Sequence, residues 1–232
     1  MSKIDHIVIL TGAGISAESG IQTFRDAGGL WEGHAVEQVA TPEGFAADPV
    51  LVHRFYNLRR AALATVEPNA AHIALGKLQS EFPGQVTLVT QNVDDLHERG
   101  GALDVIHMHG ELLSAFCSAC EHHWRQAEDL SIATPCPACR TVGGPRPDIV
   151  WFGEMPNQMR RLEAAVQACD FFVSIGTSGA VYPAAGFVQL AHVHGAHTLE
   201  LNLEPSQGSA FFSEARHGPA TELVPEWVGS LL

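Results

Sequence analysis

The chain is short of positive charge. Its 232 residues hold 13 Lys and Arg against 26 Asp and Glu, a formal net charge of −13. A surface of that sign repels phosphate backbones, which argues against non-specific binding to nucleic acid or to anionic membranes. It attracts basic protein segments instead, a hint towards lysine-bearing partners. Long apolar runs are lacking too, each candidate being interrupted by Gly or charge before the ~20 residues a membrane span needs. The opening MSKIDHIVILTG enters a strand-like run at once, without the charged, apolar and cleavage regions of a leader. A cytoplasmic protein is the expectation. Internal repeats and low-complexity tracts are absent. Cysteine is sparse, with five residues, and in a cytoplasmic chain these serve a metal or the core more often than disulfides. What is present is 46% hydrophobic and 17% charged, enough apolar surface for one large domain with an insertion or for two small ones.

Short apolar runs closed by turn or polar residues fall at 6–11, 86–90, 105–107, 171–175 and 198–201. Helical patterns lie between several of them. Asn69 can cap a helix that places Ile73, Leu75, Leu78 and Phe82 at helical spacing. Further helices are expected over 158–168 and over 183–192, where Pro183 suits a first turn. Alternating strand and helix implies an α/β fold with a doubly wound parallel sheet covered on both faces. Two stretches break the alternation: 34–66 reads as a helical insertion, and 115–142 holds four of the five cysteines with little periodicity. The main domain then comprises 1–33, 67–114 and 143–232.

After the first strand, Gly12, Ala13, Gly14, Ile15, Ser16 and Ala17 match a Gly-x-Gly-x-x-Gly/Ala turn. Small residues there permit a tight turn whose N–H groups face a pyrophosphate. The same pattern also fits a plain strand-to-helix turn. The acidic residue that usually follows about 20 positions on, at the end of a second strand, is missing; the region reads AGGLWEGHAVEQ and is not expected to be a strand. NAD fits this loop, while hydride transfer in the common arrangement does not.

Cys117 and Cys120 form one C-x-x-C pair, Cys136 and Cys139 a second, with fifteen residues between the pairs. Two such knuckles close a four-thiolate zinc site. Four thiolates leave no open position for substrate, so one structural zinc is expected in a small lobe. Cys169 reads as core. Gln91, Asn92 and Asp94 follow the second strand at the carboxyl edge where doubly wound sheets bind ligands, although such a run also fits a capped helix start. His109 follows the next strand and suits a general base; with 13 histidines in the chain, a structural role fits equally.

GAGISAESGIQTFR, TQNVDDLH, HMHGEL, the four-cysteine lobe, WFGE, GTS and LNLEP occur in one order along the chain. Together they resemble a sirtuin, an NAD-dependent protein-lysine deacylase, over essentially the whole length. The resemblance implies a Rossmann-like domain carrying an inserted helical module and a zinc ribbon. It implies that Gly12, Ala13, Gly14 and Ser16 line the NAD pyrophosphate, that Thr23, Phe24 and Arg25 form a mobile cofactor loop, and that Ile15, Ala17 and Trp31 also belong to the cofactor site. Gln91, Asn92, Val93 and Asp94 match the segment orienting nicotinamide and its ribose. Gly176, Thr177, Ser178, Asn202, Leu203, Glu204 and, more loosely, Ala220 match the adenosine side.

His109 matches the catalytic base, while His107 reads as structural. The implied reaction releases nicotinamide, lets the acyl oxygen of a modified lysine attack the ribose carbon, and uses His109 to take a proton relayed from the ribose hydroxyls. Water finishes the reaction, and its products are free lysine, nicotinamide and O-acyl-ADP-ribose. Val150, Trp151, Phe152, Gly153 and Glu154 match the strand that pairs with the substrate peptide. Tyr56 and Arg59 share one helix face, and by spacing alone an exposed surface pair fits Arg59. In the sirtuin subclass that removes succinyl and malonyl groups, a Tyr-x-x-Arg pair reads the distal carboxylate, and a small residue, here Ala40, leaves room for the longer chain. Acetyl-lysine is not excluded. The alternatives are a mono-ADP-ribosyltransferase, which the presence of both His109 and the Tyr56–Arg59 pair opposes, and a non-catalytic NAD or ADP-ribose sensor.

Overall fold

The structure is a computed structural model that describes residues 4–22, 30, 31 and 33–232, with Leu30 and Trp31 as backbone. β1 (His6–Thr11) is an apolar run closed by Thr, and it feeds a single helical turn, α1 (Gly14–Ala17). β2 (Leu30–Trp31) and β3 (His34–Ala35) then pair antiparallel, in the region expected to hold no strand. Strands of two residues show no periodicity, which is why the sequence concealed them. Neither joins the main sheet.

The insertion follows as α2 (Val36–Val39), α3 (Pro42–Ala47) and α4 (Pro49–Leu63). Local signals start the last two: each has Pro in its first turn, behind a capping Thr41 or Asp48 that accepts a backbone N–H at 3.0 or 2.9 Å. α5 (Ala70–Glu81) is capped by Asn69 as expected, its Oδ1 accepting the Ala71 N–H at 3.0 Å. The buried face of α5 is Ala71, Ala74, Leu75 and Leu78; Ile73, assigned to that face from spacing, is 55% exposed.

β4 (Gln85–Thr90), α6 (Leu96–Arg99) and β5 (Val105–His107) come next. β6 (Gly110–Cys117), β7 (His123–Arg125) and β8 (Pro145–Ile149) form a separate antiparallel sheet in the order β7-β6-β8. This ribbon reaches beyond residues 115–142 on both sides. The chain closes with α7 (Met159–Ala168), β9 (Phe171–Ile175), α8 (Phe187–Val193), β10 (His197–Asn202), β11 (Glu214–His217) and α9 (Ala220–Gly229). The helix expected from Pro183 starts as a 3-10 turn over Ala184–Gly186, and α8 proper begins at Phe187.

The main sheet is parallel throughout, in the order β11-β10-β9-β1-β4-β5. β1 lies inside it, and its side chains alternate between two cores. Ile7 and Ile9 pack with α5 and α9, through Leu75, Leu78, Val224 and Trp227; Val8 and Leu10 pack with α7 and α8, through Leu162, Val166, Phe187 and Val188. A third core joins Val52, Phe55 and Tyr56 of the insertion to Leu112, Ile149 and Trp151 at the base of the ribbon. Among the described residues, no helix is long and apolar enough to cross a membrane.

Candidate active site

The carboxyl ends of β1, β4, β9 and β10 are laced together by backbone hydrogen bonds. Gly12 N–H donates to Ile175 O (2.9 Å), Gly14 N–H to Gly176 O (2.8 Å), Gly176 N–H to Leu201 O (3.0 Å) and Gln91 N–H to Thr11 O (2.9 Å). This approach needs glycine. A Cβ on Gly14 would stand 2.7 Å from the Gly176 Cα, and one on Gly176, where φ is +61°, would stand 2.4 Å from Ile15 N.

Beneath the turn lies a buried polar network. Ser16 Oγ accepts from Asn92 Nδ2 at 3.0 Å and donates to Asp94 Oδ2 at 3.1 Å. Burial pushes the Asp94 carboxyl above the usual carboxylate range. His72 Nδ1 accepts the Asn69 N–H at 3.2 Å, so its proton sits on Nε2, 3.3 Å from Ser16 Oγ. Thr11 Oγ1 donates to Thr90 Oγ1 at 2.9 Å and therefore accepts from His97 Nε2 at 2.8 Å. Burial lowers His72 to about 4 and holds His97 well below the usual histidine range, so two uncharged rings stand 5.0 Å apart under the site. Sequence reading missed this pair. The available signal was His72 at the third position after the Asn69 cap.

His109, half-buried, lies just beyond β5. Its Nδ1 is 3.0 Å from Gln91 O, and a carbonyl only accepts, so Nδ1 carries the proton and Nε2 the lone pair. Burial lowers the ring's pKa, which keeps that lone pair available near neutral pH. His107 is spent elsewhere. Its Nδ1 donates to Asn92 O at 3.2 Å and its Nε2 meets Glu98 Oε1 at 2.7 Å. Burial alone would lower this ring, but the Glu98 hydrogen bond and charge outweigh it, and the pKa is raised.

One cavity of about 1080 Å³ gathers nearly all the expected residues. Gly12, Ala13, Gly14, Ser16 and Ala17 line it, together with Gln91, Asn92, Val93, Asp94 and His109. So do Gly176, Thr177, Ser178, Asn202, Leu203, Glu204 and Ala220. Ile15 does not: its side chain is fully buried in the core. Thr23, Phe24 and Arg25 lie outside the described residues, as does the Trp31 side chain. Pro156, Val181, Tyr182 and Gln207 also line the cavity without having been named; they sit in loops with no motif signal of their own.

The other end of the cavity is walled by the insertion. Ala40, Tyr56 and Arg59 line it. Tyr56 is fully buried, and its hydroxyl accepts the Trp151 Nε1–H at 3.0 Å; burial raises its pKa. One turn on, the Arg59 guanidinium lies 4.1 Å from the Phe55 ring centroid. The adjacent Arg60 turns away, its Nε donating to Leu112 O at 2.9 Å and its Nη1 to Asn57 Oδ1 at 2.7 Å. Val150, Trp151, Phe152, Gly153 and Glu154 line the same end, but the expected strand stops at Ile149. Val150 N–H is given to His109 O and Phe152 N–H to Ala40 O, and Glu154 N–H closes a turn on Trp151 O. The turn over residues 151–154 ends the extended backbone there.

The cysteines converge as expected. Cys117 Sγ is 3.8 Å from Cys139 Sγ, Cys120 Sγ is 3.7 Å from Cys136 Sγ, and all four lie within 4.8 Å of one another. Four Zn–S bonds of ~2.3 Å at tetrahedral angles put the sulfurs ~3.8 Å apart. The set fits one structural zinc ion. Cys169 is buried and remote from this role, and burial pushes its thiol up to about 11.

A model of the Sir2 family matches residues 12–183. The chain is 58% identical over 229 residues to an NAD-dependent protein deacylase of Vibrio parahaemolyticus, covering 98% of this chain and 95% of that protein. It resembles the crystal structure of a Sir2 homolog–NAD complex with a TM-score of 0.90 at 36% identity, over 99% of this chain and 90% of that one. A structure of Sir2 bound to acetylated peptide is similar with a TM-score of 0.84 at 27% identity, over 98% and 94% of the two chains.

Proposed function

Because the chain belongs to the Sir2 family, we propose that its cavity takes NAD at the glycine-lined end and an acylated protein lysine at the other, and that it removes succinyl and malonyl as well as acetyl groups. It is an NAD-dependent protein deacylase. The observation that carries the reading is the continuity of one cavity from the Gly12–Gly14 turn, past His109, to Tyr56 and Arg59.

Bound NAD supplies nicotinamide as a leaving group and an electrophilic ribose carbon. The chain's own residues do the rest. Gly12 and Gly14 bring backbone close to phosphate. Ser16, Asn92 and Asp94, fixed by one another, hold their polar atoms at the nicotinamide end without reorganisation. His109 Nε2, with Nδ1 anchored on Gln91, accepts a proton relayed from hydroxyls at the reacting centre. Arg59 and Tyr56 offer a charged fork and a hydroxyl to a distal carboxylate, and the small Ala40 leaves room for a four-carbon acyl chain. One water is consumed in freeing the lysine, and the products are nicotinamide, unmodified lysine and O-acyl-ADP-ribose.

The test supplies NAD with matched acetyl-, malonyl- and succinyl-lysine peptides and follows nicotinamide and peptide mass. Turnover of the dicarboxylic acyl peptides supports the reading. Acetyl turnover with none of succinyl or malonyl removes the carboxylate assignment, and nicotinamide release without a change of peptide mass removes deacylation.

A further inference from the structure

Arg146 does not line the cavity, yet it braces the wall that carries acyl recognition. It sits in β8 opposite Phe116 of β6, one position from the Cys117–Pro145 pair. Its Nη1 and Nη2 each donate to a different oxygen of Glu154 at 2.8 Å, and Nη2 also donates to Ile149 O at 3.0 Å. The guanidinium carbon lies 3.9 Å from the Trp151 ring centroid. Glu154 Oε2 in turn accepts the Trp151 N–H at 2.9 Å. One fork thus closes the turn after β8 and lays a cation on the indole. That indole holds the Tyr56 hydroxyl at 3.0 Å, joining residues 95 positions apart.

We propose that Arg146 is a positioning residue for acyl selectivity: by clamping Glu154 and stacking on Trp151 it fixes the Tyr56 hydroxyl at the acyl end of the cavity without touching substrate. This rests on the reading of Tyr56 and Arg59 as the acyl-carboxylate site. The arrangement requires arginine, since lysine keeps the charge but has neither the planar fork nor the face that stacks on the indole. A wall loosened by a fraction of an ångström costs a long, charged acyl group more than a short neutral one, because the distal carboxylate meets its partners at the far end.

The experiment compares Arg146→Lys, Arg146→Met, Trp151→Phe and the Arg146→Met/Trp151→Phe double variant, with kcat and KM measured for succinyl- and acetyl-lysine peptides and KM for NAD. Arg146→Met is expected to lower succinyl kcat/KM about 10- to 100-fold and acetyl kcat/KM several-fold less, with the NAD KM within about twofold of the original. Arg146→Lys falls between. Added to Trp151→Phe, Arg146→Met costs little more, because both act through the indole. Thermal melting and zinc content show whether each variant is folded; if Arg146→Met is not, Arg146→Lys carries the same comparison. Equal losses on both peptides, a raised NAD KM, or no loss at all would overturn the proposal. A wild-type protein without succinyl turnover sinks the acyl reading and this inference with it, whereas an active wild type with unselective Arg146 variants sinks the inference alone.

Discussion

Gln91 O accepts the Nδ1–H of His109 at 3.0 Å, and this contact decides which imidazole nitrogen holds the lone pair. His109→Ala is expected to lower deacylation about 10²- to 10⁴-fold while NAD still binds. Isothermal titration beside a nicotinamide-release assay separates the two. Burial lowers the ring's pKa, so the neutral base persists as pH falls below the ordinary histidine range. The acid limb of kcat should therefore lie below pH ~6.5; a limb centred above it speaks against His109 as the base.

Arg59→Met keeps an unbranched, flexible stem and removes the charged fork beyond it. Loss of a charge-assisted hydrogen bond of about 1.5–3 kcal/mol should lower succinyl kcat/KM about 10- to 100-fold and leave acetyl turnover within a few-fold. Parallel kinetics on both peptides check this. Equal losses would make Arg59 a packing residue that only happens to stack on Phe55.

Cys117 and Cys136 are fully buried, Cys120 and Cys139 exposed. Cys136→Ser should take bound zinc from one equivalent per chain to none, read by elemental analysis, and lower Tm by about 5 °C or more. Unchanged zinc content in that variant would contradict the four-thiolate assignment.

His53 is 3% exposed, its Nδ1 has no hydrogen-bond partner among the described residues, and its ring meets Phe45 edge-on with centroids 5.3 Å apart. Burial, helped by the Arg60 charge, lowers its pKa to about 4. Because the folded pKa lies below the unfolded value of ~6.5, the unfolded chain binds more protons between the two, and stability falls as pH drops through that window. The cost is about 2 kcal/mol at pH 5 and vanishes by pH 8. His53→Leu should raise the unfolding free energy more at pH 5 than at pH 8, measured by urea denaturation.

Elements with buried, uninterrupted patterns were legible in the sequence. β1, β5 and β9 fall on the expected residues, and α5 begins at its Asn69 cap. β11 was not read, since EARH at the sheet edge alternates half-buried and exposed residues and carries charge. Ile73 misled because, two residues from Leu75, it lies about 200° round the helix from the buried face and meets solvent. The site was legible where chemistry fixes residue type at short spacing, as in the cysteine knuckles and the Gly12–Gly14 turn. It was illegible where partners are distant in sequence: nothing local to Trp151 announces Tyr56, and nothing local to Arg146 announces Glu154 as a bidentate partner.

β1 divides its side chains residue by residue between the two sides of the sheet, and Gly12 follows its last residue directly. Deleting one residue inside it would either send the residues before the gap to the opposite face of the sheet or draw the cofactor turn about 3.3 Å down it. The strand therefore works as a ruler for the whole molecule. Changes of length have to be absorbed in the connecting loops, where they alter what the cavity admits while the phosphate-binding turn keeps its height.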